Sequence, residues 1–335
     1  EMQPQAKQYF QLKWVNKPIN YAQRTNVRHG VRKNINDTIQ PATKGVFLAN
    51  EIPAVTGFQA FQTDGPSWEN DMVGFRHYLD GRNSKDLFGK INATLSPPNV
   101  GINSLGVTED NYHVMADWGR DILSVGNSVG IGGISMLIEG DKLARMGVVG
   151  GQKLSPIDST VFYVRSRGPI EAIMDFNYHN WRIDPDRIYS VTEKVEIWPG
   201  IHGFKNNVSV HGLKGDEQLV IGLVNSRTDK PLKQLDVNDD FVVLYTHDKQ
   251  TYNKEWYLGL ALIIPKYAFA GSVEAPKKGP VSTTFLAKIN VKEGEVIPYY
   301  TIACWELRDP KFQSEAYFEN YLMLLAQQLT VQVKI

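Results

Sequence analysis

The chain has 335 residues, with 36 Lys+Arg against 36 Asp+Glu, and so carries no formal net charge at pH 7. A protein that binds nucleic acid by neutralising phosphates carries a basic excess or stripe; neither is present, and the densest basic stretch, Arg24 to Lys33, is diluted by Asn and Gly. The single cysteine, Cys304, excludes an intrachain disulfide and a thiolate metal cluster, and no run of 18 apolar residues is present to span a membrane.

Residues 1–61 read as N-terminal strands and an extension. They open on Glu-Met-Gln-Pro-Gln, which is no signal peptide, although numbering from Glu1 leaves room for a removed leader. Residues 62–130 are dense in Gly, Asn, Asp and aromatics and are interrupted by Pro97-Pro98. They read as long ordered loops of functional type, because the aromatic content argues against disorder. Residues 131–335 read as the main body of a single domain. From Thr160 onward, strand-length segments rich in Val, Ile, Phe, Tyr and Thr follow one another, from Thr160–Arg167 to Val296–Trp305. Tyr189, Val191, Glu193, Val195 and Ile197 alternate with Ser190, Thr192, Lys194 and Glu196, the period of a half-buried strand. So many closely spaced strands point to a large antiparallel β-sandwich, not βαβ units. One C-terminal helix is predicted, capped by Ser314, with Phe318, Leu322, Leu325 and Leu329 on one face.

Two clusters can carry chemistry. The first, Trp68-Glu69-Asn70-Asp71-Met72-Val73-Gly74-Phe75-Arg76, sets an aromatic, two carboxylates, an amide and an arginine in nine positions. That mixture suits a sugar site: an aromatic plate for C–H faces and polar forks for hydroxyls. As a strand it puts Glu69, Asp71 and Val73 on one face and Trp68, Asn70 and Met72 on the other. A structural ion-pair network fits the same residues equally well. The second cluster runs from Tyr112-His113 through Asp117-Trp118 to Asp121. Histidine is matched to proton transfer near neutrality, and Asp117 can fix its tautomer if the segment is helical. Against this, a lone histidine in a loop is more often merely exposed. The histidines include no HxH or HExxH pair, so no metal or other cofactor is expected, although a shallow Ca²⁺ site of Asp and carbonyl oxygens stays open. The glycine motifs lack the spacing of phosphate or dinucleotide loops, and no nucleophile elbow occurs.

The order Trp68-Glu69-Asn70-Asp71-x-x-Gly74-Phe75-Arg76, Tyr112-His113-x-x-x-Asp117-Trp118-Gly119-x-Asp121 and Val125-Gly126-x-Ser128-x-Gly130 resembles a bacterial domain-of-unknown-function family. Genes of that family accompany pectin- and ulvan-degrading enzymes in polysaccharide-utilisation clusters. The resemblance implies a secreted or periplasmic, carbohydrate-active protein with a galactose-mutarotase-like sandwich. It also implies an oligosaccharide substrate derived from ulvan or pectin and the activity of a dehydratase or lyase, like the ulvan oligosaccharide dehydratase of that family. Such an enzyme eliminates water or an alcohol across C4–C5 of a terminal uronate to form a 4,5-unsaturated uronate. On this expectation His113 is base or acid, with Tyr112 or Tyr178 as its counterpart, and Arg76 or Arg145 neutralises the uronate carboxylate. Trp68 and Trp118 are sugar platforms. Glu69, Asp71, Asp117 and Asp121 orient hydroxyls or the histidine, and Asn70, His179 and Trp181 complete the contacts. Two alternatives remain: a glycoside hydrolase pairing Glu69 or Asp71 with Asp117 or Asp121, and a non-catalytic oligosaccharide binder.

Overall fold

In the computed structural model, the described residues are 11, 13–17, 19–51, 59–149 and 154–331. A nine-stranded antiparallel sheet forms the centre. Its order is Lys233–Asp236, Phe241–Asp248, Leu258–Pro265, Ile297–Trp305, Gly203–His211, Arg187–Ile197, Ala172–Asp184, Ile157–Arg167 and Lys44–Leu48. Strand Leu258–Pro265 is apolar along its whole length because both of its faces are covered. Leu258, Leu260, Leu262 and Ile264 enter the main core, whereas Ala261 and Ile263 meet the helix.

The helix, Glu315–Leu329, lies where the sequence predicts it. Ser314 caps it by accepting from the Tyr317 amide, and Phe318, Leu322 and Leu325 are buried against Val243, Tyr245, Ile302 and Cys304. Cys304 is sealed there, and burial pushes its thiol well above the usual range. No helix among the described residues is long and apolar enough to cross a membrane.

Two five-stranded antiparallel sheets share the main core with the other face of the large sheet. One holds Lys142–Arg145, Ile134–Ile138, Glu217–Val224, Thr284–Asn290 and Phe269–Glu274. The other, in order, is Thr25–Arg28, Ser67–Asn70, Gly74–His77, Lys85–Lys90 and Gly119–Asp121. The all-β sandwich, with one long helix among the described residues, agrees with the sequence reading. The stretch 62–130 differs from it, because four strands of the last sheet fall where loops are expected. Those strands are three to six residues long and carry polar or charged side chains on both faces, so hydrophobic alternation is weak in them.

Burial keeps three histidines neutral. It pulls His29 and His77 down to about 3 and His202 to about 4, with Arg167, Lys85 and Arg308 respectively adding to the effect. In the unfolded chain the same imidazoles protonate near pH 6.5. Their contribution to stability is therefore complete above pH 6.5 and is lost as pH falls toward 4. The unfolding free energy from urea titrations should fall between pH 7 and pH 4.5, by up to roughly 1.4 kcal/mol per pH unit for each histidine.

Candidate functional site

The small sheet sorts charge by strand alternation. Phe75, His77, Lys85 and Leu87 point toward the large sheet, whereas Arg76, Asp86, Phe88 and Asp121 point away from it. The register brings Arg76 opposite Asp86 and Phe88 opposite Asp121. Arg76 thus meets Asp86 directly and Asp121 diagonally, with its Nη2 at 2.6 Å from Oδ2 of each. Tyr78, two residues on, reaches the same knot: its hydroxyl donates to Asp86 Oδ2 at 2.5 Å and accepts from Arg76 Nη2 at 2.5 Å. The guanidinium lies 4.5 Å from the Tyr78 ring centre, 4.9 Å from that of Tyr112 and 5.2 Å from that of Phe88. Burial opposes the Arg76 charge, but Tyr78, Asp86 and Asp121 outweigh it and hold the group well above its usual value. Two carboxylates share one cation here, and burial together with the Asp86 charge pushes Asp121 upward despite Arg76.

A cleft of about 530 Å³ opens over this knot, lined by Arg76, Tyr78, Arg82, His113, Arg120, Asp121 and Tyr252 among others. Its one imidazole, His113, is 53% exposed, and its Nδ1 stands 3.6 Å from Asp121 Oδ2. Arg82 is bound to Asp80 and Asp64 and stacks 3.5 Å from the Tyr78 ring centre. Arg120 pairs with Glu255 at 2.8 Å. Because each arginine already holds a carboxylate, the cleft offers directed N–H groups more than a net positive field. Among the described residues, Nη1 of Arg82 and of Arg120 carries no protein partner.

The structure brings Arg76, His113 and Asp121 together, but Arg76 is held by Asp86 and Asp121 and not left to neutralise a uronate, and most of the other expected contacts do not form. Tyr112 is buried against Phe88, donates to Asp110 and does not line the cleft. Asp117 does not hold His113: the segment is a turn, not a helix, and Asp121 takes that place. Trp68 is no platform. It is 1% exposed and packs on Phe75 and Phe204 in the core. Glu69 is locked by Lys90, Arg28 and Ser96, and the two cations, with the Ser96 hydrogen bond, hold its carboxyl low against the effect of burial. The strand ends at Asn70, whose side-chain Oδ1 accepts from the Met72 and Val73 backbone amides and whose side-chain Nδ2 donates to the Trp198 and Ile201 carbonyls. Asp71 binds Arg24 and the Gly200 amide. These are turn and packing roles.

Tyr178 lies on the inner side of the sheet in a second, sealed network. Its hydroxyl is 3.2 Å from His77 Nε2 and donates to Glu193 at 3.0 Å, and Glu193 also holds Lys85 at 2.5 Å. Arg145 spends its guanidinium on the carbonyls of Asn127, Ser128, Pro280 and Arg82, which leaves it no fork for a substrate. Burial, with Arg82 nearby, pulls it down to about 10. Trp181 is fully buried and donates to the Arg145 carbonyl. His179 is exposed on the large sheet opposite Ser159. Trp118 is mostly buried against Phe88, with one edge lining a separate cavity. Sequence reasoning missed Tyr78, Arg82 and Arg120. Tyr78 sits at the two-residue spacing from Arg76 that a strand requires, and Arg120 directly precedes Asp121.

Gly119 makes the geometry possible. It turns the chain at φ +135°, and a Cβ there would stand 1.8 Å from the Gly89 carbonyl oxygen. Among the described residues, no group of three or more His, Cys, Asp or Glu could hold a metal ion.

Removing Arg76 leaves two buried carboxylates without their cation. Arg76→Met should cost about 3–5 kcal/mol at pH 8 by urea unfolding. The deficit relative to the native chain should shrink toward pH 5, where protonation of Asp121 relieves the repulsion.

An uncharacterised protein from Formosa agariphila designated P7 is similar to this chain, with 20% identity over 307 residues that cover 87% of this chain and 71% of that protein. The match to DUF4861, described as a domain of unknown function, runs over residues 1–335, and the chain belongs to that family.

Proposed function

We propose that the cleft performs β-elimination on a terminal uronate of an oligosaccharide, expelling water across C4–C5 to give a 4,5-unsaturated product. One observation carries the reading: an exposed imidazole beside a carboxylate, a phenol and two arginines with free N–H groups share a single cleft. The uronate carboxylate accepts from Arg82 and Arg120, which lowers the cost of the charge that develops when C5 loses its proton. His113 takes that proton, with Asp121 orienting the ring. The C5–H electron pair forms the C4=C5 bond, the C4–O bond breaks, and the departing hydroxyl takes the Tyr78 proton, which leaves its hydrogen bond to Asp86, to depart as water. Burial pushes the Tyr78 hydroxyl well above its usual range, so it is present as the protonated donor. Arg76 and Arg82 lie beside the phenolate that forms. With this reading goes the secreted or periplasmic location that the resemblance implies.

Hydrolysis needs two accessible carboxylates flanking the bond. Glu69, Asp71 and Asp121 are each engaged by arginine or lysine, which leaves Asp117 alone of the four candidates and favours elimination. The test is ultraviolet absorbance of the conjugated product on incubation with glucuronate-terminated ulvan or pectin oligosaccharides, together with a product mass lower by one water. His113→Ala should reduce the rate by about 10²–10⁴-fold without changing the unfolding midpoint, since its side chain is exposed. New reducing ends without absorbance would show hydrolysis and reject the proposal.

A further inference from the structure

A second cavity, of about 400 Å³, shares a wall with the cleft. The wall is the turn that follows Tyr112. His113 lines the cleft, whereas Ala116, Asp117 and Trp118 line the second cavity. The Ala116 and Gly119 backbones exchange hydrogen bonds of 3.1 and 3.0 Å, which hold the turn closed.

The two cavities differ in chemistry. No lysine, arginine or histidine lines the second. Leu95, Pro97, Val100 and the Trp118 edge provide apolar surface, and Asn99 and Asp117 provide polar groups. The amides of Asn92 and Asn111, also in the lining, are spent on backbone carbonyls. By contrast, the side chains of Asn99 and Asp117 are exposed and have no hydrogen-bond partner among the described residues.

We infer that this cavity holds a neutral sugar unit of the same oligosaccharide whose uronate end occupies the cleft; the ligand class rests on the proposed function. A pyranose ring presents C–H groups to the apolar floor and hydroxyls to a carboxylate acceptor and an amide, a mixture of contacts typical of small-ligand pockets. The free Asp117 carboxylate, with no cation in the lining, repels a second uronate and selects a neutral unit. From His113 to Asp117 the chain spans at most about 14 Å, within reach of a short oligosaccharide. The turn is thus a divider between an acidic-sugar position and a neutral-sugar position.

The test follows amide and indole NMR signals of the full chain during titration with the methyl glycosides of rhamnose, xylose and glucuronate. A neutral glycoside should saturate the Trp118 and Asn99 signals, with affinity weakened about tenfold or more by Asp117→Ala and kept in Arg82→Ala. Glucuronate should lose affinity in Arg82→Ala and not in Asp117→Ala. The exposed, unbonded Asp117 side chain makes its replacement structurally harmless, and an unchanged unfolding midpoint checks this. Absence of neutral-glycoside binding, or equal affinity in Asp117→Ala, would overturn the inference. The elimination assay is separate: its failure with this binding pattern intact rejects the reaction and not the divided site, and the converse rejects only the divided site.

Discussion

The contact on which the candidate site depends is the buried grip of Arg76 on Asp86 and Asp121. Two carboxylates are brought close together beneath a loop, and the desolvation of three charges is offset because the pairing is direct, Tyr78 adds a further hydrogen bond, and the Leu87 and Leu123 amides donate to the two carboxylates. The grip joins strand Gly74–His77 to Lys85–Lys90 and to Gly119–Asp121. It therefore fixes the end of the turn from which His113 projects. A site built this way is rigid at its base and exposed at its tip, which suits a group that must meet substrate while its partner carboxylate stays still.

One short sheet separates two charged networks by alternation alone. Outward lies the Arg76 knot; inward, His77 and Lys85 join Tyr178, Glu193 and Asn206 on the large sheet. The inner network ties sheet to sheet and is closed to solvent, so its tyrosine and histidine serve packing and register. A one-residue slip of Gly74–His77 would exchange Arg76 for His77 and destroy both networks at once, so charge pairing as well as hydrophobic burial specifies the register.

Much of the fold was legible because long strands advertise themselves. Tyr189–Ile197 alternates without a break, and most strands read from Thr160 onward lie within three residues of those observed. The strand ending at Asp184 runs six residues past Tyr178, however, and the short strands Lys233–Asp236 and Phe269–Glu274 were not read. The strands of the small sheet hid because their outward faces are filled with ion pairs whose partners lie up to 45 residues away in sequence. The site was legible in part for the same reason. His113, Arg76 and Asp121 stood out by residue type, but their mutual arrangement depends on a cross-strand register that no local spacing reports. Trp68 and Trp181 show the opposite error: an aromatic beside polar residues reads equally as a sugar plate or as core, and only burial separates the two.

The central claim is that substrate binds where His113 stands. Of the seven histidines, His113, His179 and His211 are exposed and distributed over different parts of the surface. Imidazole proton spectra recorded during titration with a glucuronate-terminated oligosaccharide therefore separate the cleft from the rest of the molecule. The account predicts a saturable shift of the His113 signals with those of His179 and His211 unmoved. A saturable shift at His179 or His211 with His113 unmoved would contradict it.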